Sequence, residues 1–243
     1  MKIRNMIKNI VNEKFLKKFG YKIQKLNQEK NIKEITRYEN LLIEKCLKYS
    51  MTNKIRMWSL LNSINYVSHK NIPGDFVECG VWRGGNLILF QLLNIKKNLN
   101  RKIYAYDTFE GMPLPSKHDG AKALNEYNKK NTWCASTLNE VKNNILKNCS
   151  IDNIKFIKGK VEETLQINQN IPDKISILRL DTDFYESTKI ELEMLYPRLV
   201  KNGVLIIDDY GYWKGSKKAV DEYFSSKAFL IYVDNSCRIL IKN

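Results

Sequence analysis

Hydrophobic and polar residues follow two successive patterns along this chain. Through the first 70 residues, apolar positions recur at the spacing of amphipathic helices, in sets that begin at Ile3, Leu41 and Ile55. From Pro73 onward, short apolar runs of strand length alternate with helical segments. The pattern therefore predicts an N-terminal helical segment, residues 1–70, followed by an α/β domain, residues 71–243.

The second region predicts a doubly wound, mainly parallel sheet of seven strands, because alternating strands and helices favour that architecture. Runs dense in Ile, Leu and Val are typical of strands that are covered on both faces. The last two runs are expected to form a closing hairpin. The predicted strands are 75–79, 102–106, 154–157, 174–180, 203–207, 229–233 and 238–241.

Three helices of this domain follow from the same pattern. One covers about 86–93, one separates the two most apolar strands, and one covers 215–226. Thr188 and Glu191 have the spacing of a capping box and would mark the start of the middle helix. In open sheets of this kind, ligands bind outside the carboxyl ends of the strands, so residues that follow the strands are the candidates for function.

Charge is unevenly distributed along the chain. The formal net charge is +15, of which +11 belongs to the first 70 residues and +4 to the remainder. We interpret the basic helices as a cap or a homo-oligomer interface; the alternative is an amphipathic element on an anionic membrane surface. The basic balance alone is weak evidence for nucleic-acid binding.

Composition also limits the compartment and the metal chemistry. No apolar run approaches the roughly 18 residues of a membrane span, and no signal-peptide core precedes the domain. The five cysteines are scattered without a C-x-x-C pair, which is typical of free thiols in a reducing compartment. We therefore expect a cytoplasmic protein. With only two histidines, any metal would be bound mainly by oxygen ligands.

A glycine-rich segment follows the first predicted strand. Residues 78–85 (ECGVWRGG) contain no dinucleotide fingerprint or P-loop, but they place an acid and a turn glycine at the strand end and two glycines where a helix begins. Such glycines let the backbone approach a ligand, and helix amides lie nearby. Asp107, after the second strand, has the position from which an acid binds ribose hydroxyls. Its alternative is a turn or helix cap.

Four carboxylates follow two consecutive apolar strands. Asp181 and Asp183 come after strand 174–180, and Asp208 and Asp209 come after strand 203–207. If these strands are neighbours, the acids converge and repel one another unless a cation binds. Oxygen ligands suit Mg²⁺, or Mn²⁺ or Ca²⁺. The alternative is that some of these acids cap helices or pair with nearby lysines.

Four segments together resemble the macrocin O-methyltransferase family: residues 74–85, 107–113, 178–188 and 195–211. The resemblance covers roughly residues 50–230. Members of this family are metal-dependent sugar O-methyltransferases that use S-adenosylmethionine. The resemblance therefore implies a class I methyltransferase fold, S-adenosylmethionine and Mg²⁺ as cofactors, a homo-oligomer, and a sugar hydroxyl of a glycan, nucleotide sugar or natural product as acceptor.

The resemblance also implies roles for individual residues. The region 112–136 is expected to help close over the substrate. The implied metal ligands are Asp181, Asp208 and Asp209. The implied cofactor-binding residues surround the methionine, ribose and adenine parts in chain order: Glu78, Gly80, Val81, Trp82, Gly84, Gly85, Asp107, Thr108, Phe109, Gly159, Lys160, Val161 and Asp181.

Methyl transfer to a sugar hydroxyl needs a base, because that hydroxyl is almost wholly protonated at neutral pH. Asp181 is the leading candidate, with Asp183 and His118 as further candidates. Two other functions stay open. One is an RNA methyltransferase, although the Asn/Asp-Pro-Pro-Tyr/Phe signature is absent. The other is a non-catalytic module that docks through its basic helices on a membrane or a glycan-assembly complex.

Overall fold

A seven-stranded sheet forms the centre of the computed structural model, which describes residues 32–129 and 133–243. The strands are β1 Asp75–Cys79, β2 Ile103–Asp107, β3 Ile154–Lys158, β4 Ile175–Leu180, β5 Leu199–Ile207, β6 Ile231–Tyr232 and β7 Arg238–Ile241. Their order is β3-β2-β1-β4-β5-β7-β6; the first five are parallel, and β7 is antiparallel to both β5 and β6. The predicted fold class and the closing hairpin are confirmed.

Helices cover both the connections between strands and the segment before β1. In the described residues they are α1 Arg37–Leu47, α2 Lys54–His69, α3 Gly85–Lys96, α4 Gly120–Lys129, α5 Leu138–Leu146, α6 Val161–Thr164, α7 Tyr185–Leu195 and α8 Lys214–Tyr223, with 3-10 turns at Asn168–Asn170 and Tyr196–Arg198. Among them, no helix combines the length and the apolarity that a membrane crossing would require.

The first two described helices belong to the same compact unit as the sheet, Thr36–Asn243. Thr36 and Glu39 form a capping box at the start of α1. Helix α2 packs against α3 and against β4 and β5, and it buries Met57 and Ile64 completely. The helix predicted from Ile3 lies outside the described residues, and the oligomer interface stays a prediction.

The predicted start of the middle helix is wrong. Helix α7 begins at Tyr185, so Thr188 and Glu191 lie inside it, and both are buried. The Asp119 carboxylate accepts a hydrogen bond from the Tyr185 N–H over 2.7 Å. An acid 66 residues away in sequence thus caps the helix, which local spacing cannot reveal.

Strand β4 is buried at all six positions, including Arg179. A buried guanidinium is costly unless carboxylates surround it. Its partners lie at the ends of the neighbouring strands, where the fold places the candidate site.

Candidate active site at the carboxyl ends of the strands

Backbone hydrogen bonds tie together the carboxyl ends of β3, β2, β1, β4 and β5. The residue that follows one strand donates its N–H to a carbonyl at the end of the next, over 2.8–3.0 Å. The donors are Gly159, Gly80, Asp181 and Asp208. The residues that follow these strands are therefore held in fixed register.

A cavity of about 450 Å³ opens at this edge, within the size range of small-molecule sites. It brings together most of the residues predicted from sequence. Those that line it are Gly80, Val81, Trp82, Asp107, Thr108, Gly159, Lys160, Val161, Asp181, Asp183, Asp208 and Asp209. Those that do not are Glu78, Gly84, Gly85, Phe109 and His118.

Asp107 fixes the backbone of the loop after β1. Its Oδ2 accepts hydrogen bonds from the Val81 N–H (2.8 Å) and the Trp82 N–H (3.1 Å), and its Oδ1 accepts one from the Phe109 N–H (2.7 Å). A carboxylate offers about four acceptor positions, so capacity for a ligand hydroxyl is left. Asp107 can therefore stabilise the turn and bind a ligand hydroxyl at the same time.

The predicted residues outside the lining have identifiable contacts. Glu78 lies buried below the cavity, where its Oε1 accepts from Arg179 (2.8 Å) and from the Asn86 amide (2.8 Å). Gly85 touches the chain between α1 and α2: a Cβ there would lie 2.6 Å from the Cβ of Ser50. Gly85 thus allows the helices to pack closely.

Three other predicted residues also lie outside the lining. Gly84 is the N-cap of α3, with a φ of +89°. The Phe109 ring lies 6.4 Å from that of Phe156. The His118 ring packs on Tyr185 with a centroid distance of 4.3 Å. The structure therefore does not bring His118 together with the carboxylates.

Asp181, Asp208 and Asp209 form a three-carboxylate cluster, in which one oxygen of each lies within 4.8 Å of the others. Arg179 donates to Asp181 Oδ2 and to Asp208 Oδ1, each over 2.6 Å. Arg56, on α2, donates to Asp208 Oδ2 over 2.6 Å. The buried Oδ2 of Asp209 has no hydrogen-bond partner among the described residues.

The electrostatics of the cluster favour a further cation. Burial raises the pKa of Asp181 to about 6 and that of Asp183 to about 7, and burial together with the neighbouring acids raises the pKa of Asp209 well above its usual value. Asp183 and Asp209 share a hydrogen bond, which requires a proton on one of them. An all-oxygen set with an unpartnered buried oxygen fits a hard divalent ion.

Sequence reasoning missed an aromatic wall beside the carboxylates. The Trp133 and Trp213 rings are tilted by 58° to each other at a centroid distance of 5.5 Å, and Tyr212 meets Trp213 edge-on at 4.9 Å. All three line the cavity, as does Met112. Trp213 also lies near Asp183, whose pKa it lowers against the larger effect of burial. These residues carry no motif; the expectation that region 112–136 closes over the substrate covers Met112 and Trp133, and no signal in the sequence identified Tyr212 or Trp213.

Known proteins are similar to this chain in sequence and in fold. The family model described as macrocin-O-methyltransferase (TylF) matches residues 3–238. The chain is 33% identical over 181 residues to demethyldecarbamoylnovobiocin O-methyltransferase of Streptomyces niveus, covering 72% of this chain and 67% of that protein. It is 34% identical over 182 residues, with the same coverage, to 8-demethyl-8-(2,3-dimethoxy-alpha-L-rhamnosyl)-tetracenomycin-C 4'-O-methyltransferase of Streptomyces olivaceus.

A solved structure is similar over most of the chain. It is that of the O-methyltransferase NovP, with a TM-score of 0.74 and 30% identity, covering 80% of this chain and 82% of that one. The family match, the curated relatives and this structure agree on the type of enzyme. The chain belongs to the macrocin-O-methyltransferase (TylF) family and is an O-methyltransferase.

Proposed function

We propose that this protein transfers a methyl group from S-adenosylmethionine to a sugar hydroxyl, with Mg²⁺ bound by Asp181, Asp208 and Asp209. The observation that carries the proposal is the three-carboxylate cluster in the wall of a ligand-sized cavity. The names of both Streptomyces relatives describe methylation of natural products, one of them rhamnosylated. A sugar on a natural product, a glycan or a nucleotide is therefore the acceptor class that we propose.

Cofactor binding is assigned to the β1, β2 and β3 side of the cavity. The Gly80–Trp82 loop is held by Asp107, whose remaining acceptor position suits a ribose hydroxyl. Gly159, Lys160 and Val161 line the cavity next to this acid and would contact the adenine. Glu78 acts from below through Arg179, because it is fully buried.

The acceptor is assigned to the aromatic wall. Trp213 packs against the rings of Trp133, Phe184 and Tyr212 and lines the cavity, so its indole ring offers the cavity chiefly an apolar surface. Such a surface, next to carboxylates, suits a sugar ring that presents C–H groups to the aromatic rings and hydroxyls to the acids. An RNA substrate would need a basic lining for its phosphates. Among the described residues that line the cavity, the cations are Arg56, which is paired with Asp208 and Asp234, and Lys160.

Proton removal is assigned to Asp183, with Asp181 as the alternative. A bound Mg²⁺ would polarise the acceptor hydroxyl and lower its pKa. Asp181 belongs to the metal set, and its Oδ2 is held by Arg179. Asp183 lines the cavity in a left-handed conformation, φ +66°, that turns it away from the α-helical path. Trp213 lines the same cavity and lowers the pKa of Asp183 against the effect of burial, so the pair would face the acceptor together.

The test combines cofactor binding with methyl transfer. We expect calorimetry to detect S-adenosylhomocysteine binding. We also expect radiolabelled S-adenosylmethionine to methylate members of a panel of L-rhamnosides and nucleotide-activated L-rhamnose, in Mg²⁺ but not in EDTA. Asp181→Asn should abolish transfer, whereas the exposed control Asp173→Asn should not. Absence of S-adenosylhomocysteine binding, or full turnover of Asp181→Asn, would contradict the proposal.

A further inference from the structure

Arg56 connects three distant parts of the chain at the carboxylate cluster. Its Nη1 donates to Asp208 Oδ2 over 2.6 Å, and its Nε donates to Asp234 Oδ2 over 2.7 Å. Asp208 follows β5, and Asp234 lies in the turn between β6 and β7. One guanidinium on α2 thus bridges a metal-set carboxylate and the C-terminal hairpin.

Asp234 is itself held rigidly. Its Oδ2 also accepts from the Asn53 amide over 2.7 Å, and its Oδ1 accepts from the N–H groups of Ser236 and Cys237. Although burial opposes ionisation, these hydrogen bonds and that of Arg56 lower the pKa of Asp234 to about 2. The carboxylate is therefore charged throughout the working range, and it fixes the direction of the Arg56 side chain.

The same turn supports the loop that carries Asp208 and Asp209. The Ser236 hydroxyl donates to the Asp208 carbonyl over 2.7 Å, and the Gly211 N–H donates to the Ser236 carbonyl over 2.8 Å. Asp208 is thus held at both carboxylate oxygens by arginines and at its carbonyl by Ser236. These contacts restrict the rotation of the Asp208 side chain.

We infer that Arg56 is a positioning residue for the divalent cation, which it serves by holding Asp208 in the orientation required for coordination. The inference rests on the proposed function, which supplies the cation. Residues that orient metal ligands from outside the coordination set typically change affinity by about 10–100-fold when they are replaced. Arginine suits this role because its planar guanidinium presents Nε and Nη1 to the two carboxylates in a fixed fork, whereas the lysine ammonium is a single donor centre on a flexible stem.

The test measures Mn²⁺ binding to the full chain by the electron paramagnetic resonance signal of free Mn²⁺, at constant ionic strength. Arg56→Lys preserves the charge but removes the fixed two-nitrogen geometry of the bridge, so we expect at least tenfold weaker binding. Asp234→Asn loosens the same bridge from its other end, with a smaller effect in the same direction. Calorimetric binding of S-adenosylhomocysteine to both variants reports an intact cofactor side.

The matched control is Arg101→Lys. Arg101 also bridges separate segments, since it donates to the Gly74 carbonyl before β1 and to the Ser176 hydroxyl in β4, at the opposite edge of the sheet. Its replacement therefore reports lost stability without a change in Mn²⁺ affinity. If Arg56→Lys and Asp234→Asn both bind Mn²⁺ as tightly as the wild-type protein does, this inference is overturned and the proposed function is not. Absence of Mn²⁺ binding by the wild-type protein would overturn the metal assignment in the proposed function, and this inference with it.

Discussion

Gly80 lies against the backbone of Asp181 at the centre of the site. An added Cβ on Gly80 would lie 2.0 Å from the Asp181 carbonyl oxygen and 2.7 Å from its carbonyl carbon. Gly80 also has a φ of +82°, which residues with a side chain rarely adopt. The loop assigned to the cofactor and the loop assigned to the metal are therefore in direct contact through a position that requires glycine.

Gly80→Ala is expected to weaken S-adenosylhomocysteine binding and to lower the midpoint of thermal unfolding. The left-handed φ alone costs on the order of 1 kcal/mol for alanine, and the clash forces the two loops apart in addition. Calorimetry and thermal denaturation measure both effects. Gly120→Ala is the matched control, because Gly120 has a φ of +79° but its added Cβ would meet no atom closer than 3.7 Å. Equal losses in the two variants would contradict the role of close approach.

The metal-free protein is expected to lose stability as pH rises. Burial raises the pKa of Glu78 to about 7, against the lowering effects of Arg179 and Asn86 and with a further increase from Asp181. Because the folded state binds this proton more tightly than the unfolded chain does, the stabilisation is complete below about pH 4.5 and is lost as pH rises through about 7.

Urea unfolding in EDTA between pH 5 and pH 8 tests this dependence. The wild-type free energy of unfolding should fall over that interval, and Glu78→Gln should reduce the slope, the remainder being due to Asp181 and Asp183, whose pKa values are raised in the same direction. The exposed Glu193→Gln is the control and should retain the wild-type slope. A Glu78→Gln slope as steep as that of the wild type would remove Glu78 as the source.

Asp107→Ala is expected to weaken S-adenosylhomocysteine binding at least tenfold, and to lower the free energy of unfolding by about 1–3 kcal/mol. The substitution leaves the N–H groups of Val81, Trp82 and Phe109 without their acceptor. Asp107→Asn keeps one carbonyl oxygen and should give intermediate values. Calorimetry and chemical denaturation measure both quantities, and wild-type affinity in Asp107→Ala would rule out the ribose assignment.

Asp209→Asn is expected to abolish Mn²⁺ binding while stabilising the metal-free protein. It removes a buried acid that faces three other carboxylates and whose Oδ2 has no hydrogen-bond partner. Stability at the cost of function is the usual consequence of neutralising such a group. Unfolding in EDTA and Mn²⁺ titration give the two readouts. Lower stability in EDTA would contradict this prediction, and would mean that the proton shared by Asp183 and Asp209 already relieves the repulsion in the metal-free protein.

The exposed Asp173→Asn serves as the control for Asp209→Asn, because Asp173 lies on the surface before β4. It should change neither the Mn²⁺ affinity nor the unfolding free energy by more than about 0.5 kcal/mol, the usual range for surface substitutions.

Local sequence determined the strands and where their ends would meet. The run of apolar residues in β4 and the acids that follow β4 and β5 were sufficient to predict that carboxylates converge there, because parallel strands bring their carboxyl ends to one edge of the sheet; the set of three came from the family resemblance. Turn glycines likewise identified the loop after β1. The strands, the acids that follow them and the turn glycines can be read from the sequence, because each depends only on residues that are a few positions apart.

Only the tertiary structure decided which side chains complete the site. Arg56 reaches Asp208 across 152 positions, Asp119 caps α7 from 66 positions away, and Trp133 meets Trp213 across the cavity. The same packing places His118 against Tyr185. Such contacts depend on how helices and loops pack over the sheet, and no local spacing encodes that packing. The chemistry of the strand ends was therefore readable in the sequence, whereas the groups that orient it are set by contacts between distant segments.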